Sequence, residues 1–143
     1  MPGTVGCLWG IPLSIGIAHL PSVGGLPVVV GQVVLIVLLC AIGIPLCTAA
    51  GRQFGKKDPG AIVWDEIAAL PIVFFLVSPE QMMKPLTLLV GFLLFRLFDI
   101  TKPPPIKRLE KLPDGLGVMA DDWVAALMAL PLMHLFLWAV GGF

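Results

Sequence analysis

Residues 28–46 read VVVGQVVLIVLLCAIGIPL, nineteen positions without a charged side chain and with one amide, Gln32. So many β-branched residues would favour strands in water, but a run this long and apolar passes the roughly 18 residues that mark a membrane span. In lipid the backbone must satisfy its own hydrogen bonds, and a helix does so within one segment whatever its side chains prefer. The run lies inside a longer one. No Asp, Glu, Lys or Arg occurs in the first 51 residues, nor in the last 21, Trp123 to Phe143. A cleavable leader explains neither, because the start is not basic and the second run is at the other end.

The whole chain shares this character. Of 143 residues, 58% are hydrophobic and 13% charged, against about 25% charged in ordinary soluble domains. A chain this short has too much surface for its volume to keep that much apolar area from water. Its length predicts a single domain, 1–143. Nine basic and nine acidic residues leave no net charge, which argues against nucleic acid as a partner. Cys7, Cys40 and Cys47 lie in apolar surroundings without a C-x-x-C, so they read as small buried hydrophobes rather than metal or disulfide sites. Trp9, Trp64, Trp123 and Trp138 are candidate interface anchors.

Working outward from residues 28–46, the chain is expected to form an all-α, polytopic integral membrane bundle of about five segments. The first, Val5 to Leu20, is interrupted by Pro12, Ser14 and His19 and is either a short span or a re-entrant element. Pro21, Ser22, Gly24, Gly25 and Pro27 supply turn chemistry before the second. Gly51 to Gly60 reads as a polar loop holding Arg52, Lys56, Lys57 and Asp58. The third helix is expected over Ala61 to Val77, kinked at Pro71. Ser78 to Lys84 forms a short loop, and the fourth helix runs from Pro85 to Ile100. At about 1.5 Å per residue that helix is short for a bilayer of ~30 Å. Pro103, Pro104 and Pro105 stop it; Lys107, Arg108, Glu110 and Lys111 suggest a short surface helix; Pro113 to Gly117 turns the chain; and the fifth helix covers Trp123 to Val140. Loops 51–60 and 101–122 carry seven basic residues, whereas 78–84 carries only Lys84. The excess of Lys and Arg on cytoplasmic loops places the two basic loops in the cytoplasm, with Met1 on the same side if the first stretch spans and on the other if it is re-entrant.

That topology gathers the acids. Asp65 and Glu66 fall in the first turns of the third helix, Asp99 in the last turn of the fourth, and Asp121 and Asp122 just before the fifth. All three helix ends lie at one membrane boundary, where an ionised group is costly and points to function. Five adjacent carboxylates repel one another unless some protonate or a cation neutralises them. Oxygen-only ligands favour Mg2+ or Mn2+ over zinc. His19 and His134 fall toward the opposite side and are poor ligand candidates. Arg96 precedes Asp99 by three residues, so the two share a helical face. They read either as a structural ion pair or as a phosphate clamp held by Asp99, with Lys102 adding charge. Asp121 and Asp122 also suit a helix cap, and Asp65 and Glu66 a helix start. Asp99 resists that account, since a helix C-terminus disfavours an anion. Pro2-Gly3-Thr4-Val5-Gly6 reads as a tight turn before a helix, able to offer backbone N–H groups to phosphate. Both charge signs together suit metal-assisted phosphoryl transfer. A small ion or solute transporter with a carboxylate-lined path, and a structural subunit with ion-paired helix ends, are the competing readings.

The chain resembles the bacterial phosphatidylglycerophosphatase A family over almost its whole length. The likeness rests on Pro2-Gly3-Thr4-Val5-Gly6, Ile62-Val63-Trp64-Asp65-Glu66, and Phe95-Arg96-Leu97-Phe98-Asp99 running on through Lys102-Pro103 and Pro105-Ile106. Gly115, Gly117, Val118, Met119 and Asp121-Asp122 complete it. The resemblance implies a multi-pass enzyme of the bacterial inner membrane, with its site facing the cytoplasm. It implies Mg2+-dependent hydrolysis of phosphatidylglycerol phosphate to phosphatidylglycerol and inorganic phosphate. It assigns the metal to Asp65, Glu66, Asp99, Asp121 and Asp122, catalysis to Asp65, Glu66, Asp99 and Arg96, and substrate phosphate to Gly3, Thr4, Gly6, Arg96 and Lys102. Either an activated water attacks, a carboxylate taking its proton, or a carboxylate is itself the nucleophile, Asp65 or Glu66 leading in either role. The family carries more residues before Pro-Gly-Thr than the single Met1 here, a Ser where Cys7 stands, and in some members His-Gly at Pro113-Asp114.

Overall fold

A computed structural model describes residues 2–22, 25–56, 62–109 and 111–141. Met1, Gly24, Lys57, Asp58, Pro59, Gly60, Ala61, Glu110 and Phe143, named above, lie outside the described residues. The described chain is all-helical: α1 Pro2–Ala18, α2 Val28–Phe54, α3 Trp64–Val73, α4 Pro79–Met82, α5 Pro85–Thr101, α6 Ile106–Leu109 and α7 Asp114–Ala139. Among the described residues, α2 and α7 are long and apolar enough to cross a membrane, with mean hydropathy 2.7 and 1.5 over their most apolar stretches.

α2 shows why lipid is its solvent. Its buried residues are Gln32, Ile36, Gly43 and Cys47, a helical stripe that includes a polar amide and a glycine. Val29, Val33, Val34, Val37 and Leu38 point outward and are exposed. A soluble helix places these types the other way round, and an apolar face this continuous is a membrane or partner surface. Gln32 donates from its side-chain amide to the Ile17 carbonyl of α1 at 3.3 Å, so the one amide of the run ties two helices together.

α3 and α7 form the centre. α3 packs on α1, α2, α5 and α7, and α7 packs on α2, α3, α5 and α6. Their buried positions include Ala68, Ala69, Ala125, Ala126 and Ala129. Apolar side chains gain little from leaving lipid for protein, so membrane helices associate through close packing and hydrogen bonds, which small residues permit. The Trp64 indole donates to the Leu39 carbonyl at 3.2 Å and the His134 ring bonds the Phe75 carbonyl at 2.8 Å, ties of about 1 kcal/mol each in a membrane.

Several boundaries differ from the sequence expectation. α2 continues past Leu46 into the expected polar loop, ends at Phe54 and is capped by Gly55 in the left-handed region. Arg52, in its last turn, complements the helix dipole there. α3 has ten residues rather than the seventeen of 61–77, about half the bilayer core in length. Beyond it the chain turns at Leu76, with φ 65°, and the expected 78–84 loop contains α4, whose N-cap Ser78 accepts from the Gln81 amide. α7 begins at Asp114 rather than Trp123, so the expected turn at 113–117 is its first turn. Gly115 makes this possible. A β-carbon there would collide with the Ile44 carbonyl and meet the Thr48 amide nitrogen at 2.6 Å, and the Gly115 amide donates to Thr48 Oγ1 at 3.0 Å. Gly115→Val is therefore expected to pry α7 from α2, at a cost of about 1–3 kcal/mol. Unfolding in detergent would measure it, and an unchanged midpoint would refute the close approach.

Candidate active site

Three helices bring charged groups to one end of the bundle, and a fourth, α1, packs on α3. α3 contributes Asp65 and Glu66 from its first turn, where the helix dipole favours acids. α5 contributes Arg96 and Asp99 near its C-terminus, followed by Lys102 at the C-cap with φ 41°. α7 contributes Asp121 and Asp122. They lie within that helix, about 10 Å along it from its start, rather than just before it as expected, and neither caps it. α1 supplies Gly3, Thr4 and Gly6. These too are helical, with Pro2 at the first position, rather than a turn ahead of the helix.

Arg96 is the bridge. Its Nη1 donates to Glu66 Oε1 at 3.1 Å and to Asp99 Oδ2 at 2.6 Å, so the α5 cation holds an acid of its own helix and one of α3. Asp99 lies at the dipole's unfavourable end, and this pair compensates it. Lys102 donates from Nζ to Asp121 Oδ2 at 2.8 Å and joins α5 to α7. The three sites of the Arg-x-x-Asp and Lys-Pro stretch therefore each meet a charged partner.

Asp65, Asp121 and Asp122 are buried, at 8%, 5% and 4% exposure, and such burial is expensive for carboxylates. Asp122 Oδ2 has no hydrogen-bond partner. The charges of Asp65, Asp99, Asp121 and Glu66 all act on Asp122, which places the five acids in one electrostatic neighbourhood. As the side chains stand, no three His, Cys, Asp or Glu among the described residues converge as ligands of one metal ion. Arg96 and Lys102 hold three of the five acids turned toward themselves.

The glycines of α1 let it approach Glu66. A β-carbon at Gly3 would collide with Glu66 Oε1, and one at Gly6 would lie 2.6 Å from Val63 Cβ and 3.0 Å from Glu66 Oε2. Packing is thus the contribution these two positions make in the structure; Thr4 is half-buried beside them. The approach also brings in Cys7, buried as its sequence surroundings predict but with polar contacts as well. Its Sγ donates to Glu66 Oε2 at 3.5 Å and accepts from Arg96 Nη1 at 3.9 Å. The available signal was the small-residue face Gly3, Gly6, Cys7 at helical spacing.

His19 and His134 lie away from the acids, as expected. His19 closes α1 at the end opposite Gly3, and His134 sits far along α7, bonded to Phe75. A cavity of about 460 Å³ between the end of α2 and the start of α7 includes Arg52, Lys56 and Asp114 in its wall, and none of the ten candidate residues lines it.

Residues 1–137 match the family described as phosphatidylglycerophosphatase A. The chain is 37% identical over 132 residues to phosphatidylglycerophosphatase A of Haemophilus influenzae, covering 90% of this chain and 74% of that protein. It is 31% identical over 136 residues to phosphatidylglycerophosphatase A of Escherichia coli, covering 94% of this chain and 73% of the relative. No solved structure matches it.

Proposed function

Because the chain belongs to the phosphatidylglycerophosphatase A family of phosphatases, we propose that its charged cluster removes the terminal phosphate of phosphatidylglycerol phosphate, giving phosphatidylglycerol and inorganic phosphate with the help of Mg2+. The observation that carries this reading is Arg96 bridging Glu66 and Asp99, two acids whose charges act on the buried Asp122, whose Oδ2 has no hydrogen-bond partner. A cation suited to phosphate thus stands among acids that themselves call for a cation.

The donor set fits a hard divalent ion, since it is all oxygen, and the unpartnered Asp122 Oδ2 is the kind of atom such an ion satisfies. Asp65, Glu66, Asp99, Asp121 and Asp122 would hold the ion after those turned onto Arg96 and Lys102 swing away from them. When bound, Mg2+ polarises phosphate oxygens and offsets the charge of the transferring group. Arg96 and Lys102, released from their carboxylates, orient the phosphate and stabilise charge on it. Asp65 or Glu66 acts as proton acceptor or nucleophile. Gly3, Thr4 and Gly6 lie in the first turns of α1, whose amides, unpaired within the helix, favour an anion. The reading places the site at the cytoplasmic face of a bacterial inner membrane, in a chain of about five membrane segments, with the acyl chains left in the bilayer.

The test is phosphate release from short-chain phosphatidylglycerol phosphate with and without Mg2+. Asp99→Asn is expected to lower the rate by about 10²-fold or more. Lys84→Gln, some 22 Å away at the start of α5, is expected to leave it near wild type. A folded Asp99→Asn protein with full activity would sink the assignment, and ion flux across liposomes without phosphate release would favour transport.

A further inference from the structure

α5 carries a groove on its outer side. Val90, Leu93, Leu94, Leu97 and Ile100 line it together with Arg96, and it encloses about 500 Å³. Leu93, Leu97 and Ile100 are exposed large hydrophobics, so the groove opens outward from the bundle. Exposed apolar residues are common on this protein, but here one lining side chain also belongs to the charged cluster. Arg96 borders the apolar groove and, through Nη1, bonds Glu66 and Asp99. Long cationic side chains do this readily, with the stem against apolar surface and the head among polar groups. Another apolar cavity, about 330 Å³ between Leu20 and Leu38, has no charged residue in its wall. The cavity that holds Arg52 and Lys56 is lined by none of the site residues.

The length of the groove also selects its occupant. From Val90 to Thr101 it follows α5 for about 16 Å, close to the depth of one leaflet when the hydrocarbon core is ~30 Å thick. We propose that the groove seats one acyl chain of the lipid substrate and brings its phosphate to Arg96 from within the membrane, along the outer face of α5. This rests on the lipid phosphatase reading above and adds to it the path by which the lipid arrives and the residues that sense its tail. Leu93 and Leu97 are the positions where tail length is read.

Two measurements test it. In the first, kcat/KM is compared for dihexanoyl and dioleoyl phosphatidylglycerol phosphate in detergent micelles with Mg2+. Leu93→Trp and Leu97→Trp fill the groove and are expected to lower the dioleoyl-to-dihexanoyl ratio by about tenfold or more, while Leu135→Trp, exposed on α7, leaves the ratio as it was. An unchanged ratio in both groove variants overturns the proposal. In the second, wild-type protein is illuminated with a diacyl phosphomonoester lipid bearing a diazirine in one chain. Label is expected on residues 90–101 at about tenfold or more over the exposed Val33 and Val37 of α2. Equal labelling of α2 and α5 overturns the groove. Wild-type protein that releases no phosphate from either lipid, yet labels α5 selectively, overturns the phosphatase reading and keeps the lipid seat.

Discussion

Arg96→Met lowers kcat/KM for lipid phosphate hydrolysis by about 10²–10³, the expected loss for a preorganised charge aimed at a developing anion. The same change removes the cation shared by Glu66 and Asp99 and leaves two acids facing each other. Breaking a buried pair from one side costs about 3–5 kcal/mol; with the Arg96 side chain at 18% exposure, solvent screening puts the effect toward the lower end. Arg96→Lys separates the two roles. It keeps the charge that holds α3 to α5, so much of the stability returns. It loses the planar fork that fits a phosphate, so activity recovers less. Kinetics on the folded variants, read beside unfolding in detergent, distinguish these outcomes, and a folded Arg96→Met protein at wild-type kcat/KM would remove Arg96 from the chemistry.

Asp122→Asn should move stability and activity in opposite directions. The carboxylate is 4% exposed, has an oxygen without a partner and feels four other acids. Without divalent ions, replacing it with an amide relieves repulsion, and the variant is expected to unfold at a higher temperature than wild type. Added Mg2+ should then stabilise wild type, by about 2.7 kcal/mol at a hundred times the dissociation constant, and the variant far less. Phosphate release by the variant should fall by about 10²-fold or more. Thermal scans in EDTA and in Mg2+ supply the check. Equal Mg2+ stabilisation of both proteins would take Asp122 out of the ion's coordination.

The helical architecture was legible because lipid suppresses alternatives: a charge-free run must be helical whatever its β-branched content, as at 28–46. The meeting of Glu66, Arg96, Asp99, Lys102 and Asp121 was legible for a related reason, since helix direction and loop charge together set the end at which each must lie. What escaped was decided by contacts between helices. Gly115 and Gly117 look like turn residues ahead of a helix, and only the backbone of α2 at Ile44 and Thr48 shows why Gly115 is small inside one. Pro2 and Gly3 resemble a turn for the same reason, yet Pro suits the first position of a helix. The early end of α3 has no sequence mark, because the left-handed residue beyond it is Leu76 rather than a glycine. Cys7 shares a small-residue helical face with Gly3 and Gly6, but its polar role rests on contacts to Glu66 and Arg96 that only the assembly of α1, α3 and α5 creates.

The pairing of Arg96 with Asp99 on one helix bears on how the charged helix ends are neutralised. An ionised side chain near a membrane boundary gives up part of its hydration, a loss that an opposite charge beside it offsets. α5 carries the two one turn apart and ion-paired, so each offsets the other's charge within a single helix. The acids of α3 and α7 have no such companion within their own helices; Glu66 and Asp121 find theirs on α5. The helix that supplies both cations is thereby the one that lets the two anionic helices settle beside it.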